Sequence, residues 1–160
     1  MLEKQISKEL VLFLERYDKF YEDFLELERN KYEAITRNDL ASLDCFVTKE
    51  QALYLKSRGL ESERIQLMQQ CSEPQTSFRN LIPILDSEFQ QKATEIFNHL
   101  SDVLLNLKQV NSSCNSLTEL RLHRIDINLK HLENQPELQK EYNRVAKQSS
   151  KGTHVISKKI

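Results

Sequence analysis

The first long segment of the chain carries apolar side chains at alternating steps of four and three residues. Steps of this kind bring side chains onto one face of an α-helix. Charged residues such as Glu15, Arg16 and Lys19 fill the other face. The pattern therefore predicts an amphipathic helix over residues 3–36. Its apolar face contains Ile6, Leu10, Phe13, Tyr17, Phe20, Phe24 and Leu27.

Two more long helices are predicted downstream. Asn38 or Asp39 suits the N-cap of a helix over 40–70, because a short side-chain oxygen accepts a free N–H of the first turn. A loop at 72–77 and a short apolar stretch at 81–85 lead to a third helix over 86–132. Its regular apolar face consists of Ile96, Leu100, Val103, Leu107, Val110, Cys114 and Leu117.

The apolar pattern loosens after Leu117. The apolar residues there point to more than one side of the helix, which is typical of a helix that is buried on several sides or that binds a partner. Leu117, Leu120, Leu122, Ile125, Leu129 and Leu132 are therefore the candidate partner-binding residues. Two residues further on, Tyr142 and Val145, are candidates for a second contact.

The scarcity of helix-breaking residues favours an all-α fold. The chain of 160 residues has two glycines and three prolines, too few for the turns of a strand-based fold. We expect an elongated antiparallel coiled-coil bundle of three long helices over residues 1–135. Pro136 should end the regular part, and residues 136–160 should form a mobile basic tail that includes Lys140, Arg144, Lys147, Lys151, Lys158 and Lys159.

Charge and cysteine content limit the environment and the partners. The net charge of −1 with 29% charged residues predicts neither nucleic-acid nor membrane binding. No apolar run approaches the ~20 residues that span a bilayer, so no stable membrane insertion is expected. The three cysteines are far apart and odd in number, which fits a reducing compartment. With no secretion signal visible, we expect a cytoplasmic protein.

No pattern indicates catalysis or a bound cofactor. Two glycines are too few for a phosphate-binding loop. His123 and His131 could share a helix face, but surface histidines are favoured over a metal site, which needs more ligands. Cys114 lies on the apolar face of the third helix and is expected in the core. Acidic groups such as Glu26-Leu27-Glu28 are expected on solvated faces. We therefore predict no catalytic residue, no metal, no cofactor and no enzyme activity.

Three stretches of sequence together resemble the FlgN-type flagellar export chaperones. The first, at 28–68, is ERNKYEAITRNDLASLDCFVTKEQALYLKSRGLESERIQLM. In it Ala34-Ile35, Asn38-Asp39-Leu40, Leu43, Glu50-Gln51 and Leu53 match the opening hairpin of that family. The second is the Leu- and Asn-rich LLNLKQVNSSCNSLTELRL at 104–122. The third runs from Tyr142 through Gly152 to VISKKI.

The resemblance implies a chaperone that binds the hook-filament junction proteins FlgK and FlgL in the cytoplasm. It would prevent their early assembly and deliver them to the flagellar type III export gate. Leu117, Leu120, Leu122, Ile125, Leu129 and Leu132 would face the substrate, and Tyr142 and Val145 would contact the gate or the substrate. The alternative function is a structural coiled-coil or scaffold protein that self-associates, for example as a homodimer, through its apolar helix faces.

Overall fold

The computed structural model describes residues 2–71 and 77–149, which form five α-helices and one 3₁₀ turn and contain no strand. The helices are α1 (Lys4–Arg37), α2 (Leu40–Gln70), α3 (Phe78–Leu81), α4 (Ser87–Glu133) and α5 (Pro136–Ser149), and the 3₁₀ turn Ile82–Ile84 follows α3. The expected all-α class is confirmed. The bounds of the three long helices differ from the predicted ones by at most one residue. No described helix has a stretch long and apolar enough to cross a membrane.

The chain consists of two compact units. The first unit, Met1–Leu117, contains α1, α2, α3, the 3₁₀ turn and the first part of α4. The second unit, Thr118–Ile160, contains the rest of α4 and α5. The division lies within a continuous helix, whereas the sequence pattern suggested a boundary at residue 135.

A two-residue turn reverses the chain between α1 and α2. Asn38 adopts the left-handed conformation with φ 57°. The backbone N–H groups of Asn38 and Asp39 donate to carbonyl groups in the last turn of α1, at 3.2 and 2.9 Å. The Asp39 side chain then accepts a hydrogen bond of 3.0 Å from the backbone N–H of Ser42. Asp39 is therefore the N-cap of α2, one of the two residues predicted for that position.

The contacts of α1 establish the direction of the neighbouring helices in the first unit. Lys31 pairs with Glu50 at 2.8 Å, and the Phe24 and Tyr54 rings lie 5.4 Å apart, so α2 runs opposite to α1 over this stretch. The contacts between α1 and α4 follow the same order along both helices. Near their starts Lys4 pairs with Glu88 at 2.5 Å, and further along both helices the Cys114 thiol lies 3.7 Å from the Glu28 carbonyl oxygen. The first part of α4 therefore runs in the same direction as α1.

The core of the first unit lies where the start of α1 meets the end of α2 and the start of α4. Its buried apolar side chains are Leu10, Val11, Leu14, Met68, Cys71, Leu81, Leu85, Ala93 and Leu100. The buried Phe13 ring stacks on Tyr17 at 5.2 Å and on Phe78 at 6.0 Å. Phe13, Phe20 and Phe24 of α1 are thus core residues. Cys114 is also buried, as predicted.

Glycine 59 lies inside α2 without a packing role. A Cβ atom added there would meet no other atom within 4 Å. The open space makes Gly59 a tolerated weak point of the helix and not a close-packing position. An interior glycine costs a helix about 1 kcal/mol relative to alanine.

The regular structure continues beyond Pro136, and our expectation that Pro136 ends it was wrong. Pro136 is the first residue of α5. At this position the missing N–H of proline has no helical acceptor in any case, and its fixed φ suits a helix start. Residues 150–160, which include Gly152 and three of the predicted tail lysines, lie outside the described residues. So do residues 72–76 of the predicted loop. The predicted mobility of the tail remains a prediction.

Candidate partner-binding surface

The part of α4 in the second unit exposes large apolar side chains. Leu120, Leu122 and Ile125 have exposed fractions of 66%, 61% and 54%, and Leu129 has 46%. Ile127 is 41% exposed as well. Single exposed apolar residues are common on proteins, but several on one stretch of helix indicate an interaction surface. Four of the six candidate partner-binding residues are therefore accessible.

Helical geometry sorts these residues into two faces. A helix turns by about 100° per residue, so positions separated by three, four and seven residues share a face. Leu122, Ile125, Leu129 and Leu132 follow these steps and form one stripe, which we call the α4 stripe. Leu120 and Ile127 are seven residues apart and lie on the opposite face. The sequence pattern shows no single apolar face after Leu117 because these two faces alternate along the chain.

Leu117 and Leu132 differ from the other candidates because both are half-buried. Leu117 is the last residue of the first unit. It lies three residues after the buried Cys114 and seven after Val110, so it continues the face of α4 that packs in that unit. We therefore separate Leu117 from the accessible set. Leu132 belongs to the α4 stripe by its position.

Tyr142 and Val145 lie on a helix rather than in a tail. Their exposed fractions are 54% and 53%. Because they are three residues apart in α5, they lie on neighbouring positions of one side of this helix. Lys140, Arg144 and Lys147 are exposed on the same helix, and Arg144 lies 3.6 Å from Glu141. The helix thus presents an aromatic and an aliphatic group together with several cations.

His99, Asp18 and Glu22 form the only group of three metal-ligand side chains found among the described residues. Nδ1 of His99 lies 2.9 Å from both carboxylate oxygens of Asp18, and Nε2 lies 3.6 Å from Glu22. The hydrogen bond and the charge of Asp18 raise the pKa of His99. Both ring nitrogens therefore face carboxylates, which is the geometry of an ion pair between α1 and α4. His123 and His131, weighed above as a possible metal pair, are not in this group.

A second charged cluster lies inside the first unit, where α1 meets α2 and α4. Nζ of Lys31 lies 2.8 Å from a carboxylate oxygen of Glu28 and 2.8 Å from one of Glu50. The Glu28 side chain is fully buried, and its Oε2 atom has no hydrogen-bond partner. Burial raises the pKa of Glu28, although Lys31 opposes the shift. Burial alone would lower the pKa of Lys31, but its hydrogen bonds to Glu28 and Glu50 outweigh burial and raise it.

The burial of Glu28 corrects our expectation that Glu26-Leu27-Glu28 lies on a solvated face. Glu28 lies four residues after Phe24 and three before Lys31, and all three are buried. The 4-3 spacing of the apolar face thus includes both charged positions. This spacing was the signal in the sequence that we did not use.

Asn111 lies at a cleft of the first unit and also bonds within its own helix. Its side-chain oxygen accepts a hydrogen bond of 3.2 Å from Asn115, one turn later. The cleft, of about 290 Å³, is lined by Tyr21, Phe24, Tyr54, Ser57, Leu104, Leu107, Lys108 and Asn111.

Comparison with known proteins identifies a family that this chain matches. The model of a protein family described as "FlgN protein" matches residues 1–150. No curated protein sequence and no solved structure gives a significant match.

Proposed function

The chain belongs to the FlgN family, and from this we propose that it is a flagellar export chaperone that binds the junction proteins FlgK and FlgL in the cytoplasm. It keeps their helical ends from assembling early and brings them to the export gate. FlgN is a chaperone family and not an enzyme family. The observation that supports partner binding is the exposed apolar surface of α4 in the second unit.

The physical basis of binding is the burial of apolar surface. An unassembled junction protein that exposes an amphipathic helix is prone to aggregate, and a second helix with a free apolar face can cover it. Leu122, Ile125 and Leu129 have the spacing for such packing and are all accessible. Because about half of each side chain is exposed, burying one of them contributes about 0.8–1.5 kcal/mol. The three together supply about 2–5 kcal/mol of the roughly 8 kcal/mol of a micromolar affinity.

The role proposed for α5 is a second contact, with the export gate or with the substrate. Tyr142 combines a large apolar ring with a polar hydroxyl, a combination that is common at protein interfaces. Val145 lies beside it, and the cations of α5 would favour an acidic partner. No cofactor is required, because this form of holding depends on packing alone.

The test is a matched pair of triple variants. L122S/I125S/L129S removes three members of the α4 stripe, and L40S/L55S/I65S removes three exposed apolar side chains of α2. Binding of the isolated terminal helices of FlgK and FlgL would be measured by calorimetry. We expect the first variant to lose affinity by roughly a hundredfold or more and the second to bind as the wild type does.

Light scattering on the same samples examines the scaffold alternative. If the protein is a chaperone, adding the junction-protein helices should increase the measured mass, because a complex forms. Equal binding by both triple variants would show that the α4 stripe is not the substrate-binding surface. A stable obligate dimer that binds neither junction protein would favour a scaffold that self-associates through these faces.

A further inference from the structure

The buried cluster of Glu28, Lys31 and Glu50 carries one more negative charge than positive when both carboxylates are ionised. Lys31 is shared between them, at 2.8 Å from each. The Glu28 side chain is fully buried, whereas that of Glu50 is 14% exposed. The second oxygen of Glu28 has no partner at all. A buried charge without full compensation is costly, and such a group relieves the cost by taking up a proton.

The remaining titratable groups that face Glu28 bring no positive charge to it. Tyr54 on α2 and Cys114 on α4 are the other titratable neighbours. Burial raises the pKa of both, that of Cys114 to about 11. Both are therefore neutral at physiological pH. The pKa of Lys31 is raised as well, so Lys31 keeps its positive charge at physiological pH.

We propose that protonation of Glu28 controls how tightly α1, α2 and α4 pack where these three helices meet. When ionised, it leaves an uncompensated charge in the packed interior and loosens that point. When protonated, it leaves the cluster neutral, with Glu50 and Lys31 as a simple pair. The accessibility of the Cys114 thiol indicates how tightly the helices pack there, because the thiol lies 3.7 Å from the backbone carbonyl of Glu28 on the opposing helix.

The sign of the resulting pH dependence follows from the raised pKa of Glu28. The folded chain takes up the proton at a higher pH than the unfolded chain, whose glutamates titrate near 4.5. The stability of the first unit should therefore rise as the pH falls from the folded pKa of Glu28 towards 4.5. This direction is opposite to that of a carboxylate whose folded pKa is lowered by an ion pair.

The experiment compares E28Q with the wild type from pH 5 to pH 8.5. The amide has the shape of the protonated acid and never ionises. E26Q, at an exposed glutamate two residues earlier, is the matched control. Urea midpoints are measured at each pH, and taking differences between variants cancels the other titrating groups. We expect E28Q to exceed the wild type at pH 8.5, the difference to shrink as the pH falls towards the unfolded value of 4.5, and E26Q to stay close to the wild type throughout.

The second readout is the rate of modification of Cys114, located by peptide mass, with the buried Cys71 as reference thiol. Relative to E28Q at the same pH, Cys114 in the wild type should react about tenfold faster at pH 8.5 for each unit by which the pKa of Glu28 is raised above its unfolded value. A difference between E28Q and the wild type that does not change with pH would overturn the proposal. If E28Q does not fold, carboxyl carbon NMR of the wild type decides, and a Glu28 titration near or below 4.5 would refute it.

Discussion

Replacing Lys31 by methionine removes the only cation of the buried cluster while preserving most of the side-chain volume. The Lys31 side chain is 10% exposed and holds Glu28 and Glu50 at 2.8 Å each. Breaking a buried ion pair by deleting one partner costs about 3–5 kcal/mol, because the other charge stays buried without compensation. Glu50 can turn its partly exposed carboxylate to water. We therefore expect about 3 kcal/mol at pH 7.5, the lower end of that range.

The assay is urea denaturation followed by far-ultraviolet circular dichroism, since the chain has no tryptophan to serve as a fluorescent probe. K19M is the matched control. Lys19 also bridges two carboxylates on α1, Glu22 at 3.4 Å and Asp23 at 3.1 Å, but in solvent. Exposed ion pairs contribute little to stability, so the urea midpoint of K19M should remain near that of the wild type.

Two further results would decide whether the reasoning holds. The triple variant E28L/K31M/E50L replaces the whole cluster by apolar side chains and should recover the wild-type stability or exceed it, because no charge then remains buried. The loss in K31M should also shrink towards pH 5, as protonation of Glu28 removes one of the stranded charges. A loss below about 1 kcal/mol in K31M would mean that the cluster is hydrated and would refute the reasoning.

Four other changes have defined outcomes. Phe13→Ala should cost about 3–5 kcal/mol in urea denaturation because the ring is fully buried, whereas Leu12→Ala, at an exposed neighbour, should change little. Gly59→Ala should raise the free energy of unfolding by about 0.5–1 kcal/mol, since the added Cβ meets open space. Asn38→Val should lose about 1–2 kcal/mol, because a β-branched residue resists a φ of 57°. Relative to His99→Gln, the wild type should be more stable at pH 6. That advantage should disappear as the pH rises through the raised pKa of the imidazole, which proton NMR titration would locate.

Local sequence signals were sufficient for the helices themselves. The period of apolar residues marked the three long helices, and the short polar side chains at 38 and 39 marked the turn between the first two. These features depend on residues within one or two turns of each other, so tertiary contacts were not needed to recognise them. At Pro136 the same local reasoning failed, because proline is compatible both with the end of one helix and with the start of the next.

The candidate surface was only partly predictable. The sequence showed that the pattern loosens after Leu117, and four of the six selected residues are exposed. The separation of Leu120 and Ile127 from the α4 stripe requires knowing that α4 continues unbroken to Glu133. Only then does the fixed rotation per residue assign each side chain to a face.

The sequence by itself determined that this chain is helical, where its long helices lie and which faces are apolar, because helix formation and periodicity are local properties. It also determined which family the chain resembles. The tertiary structure alone decided that Lys31 pairs with both Glu28 and Glu50 in the interior and that Leu117 packs with the first unit. It also decided that His99 meets Asp18 across 81 positions of sequence. Burial and pairing depend on which helix faces which, and residues far apart in the chain settle that together.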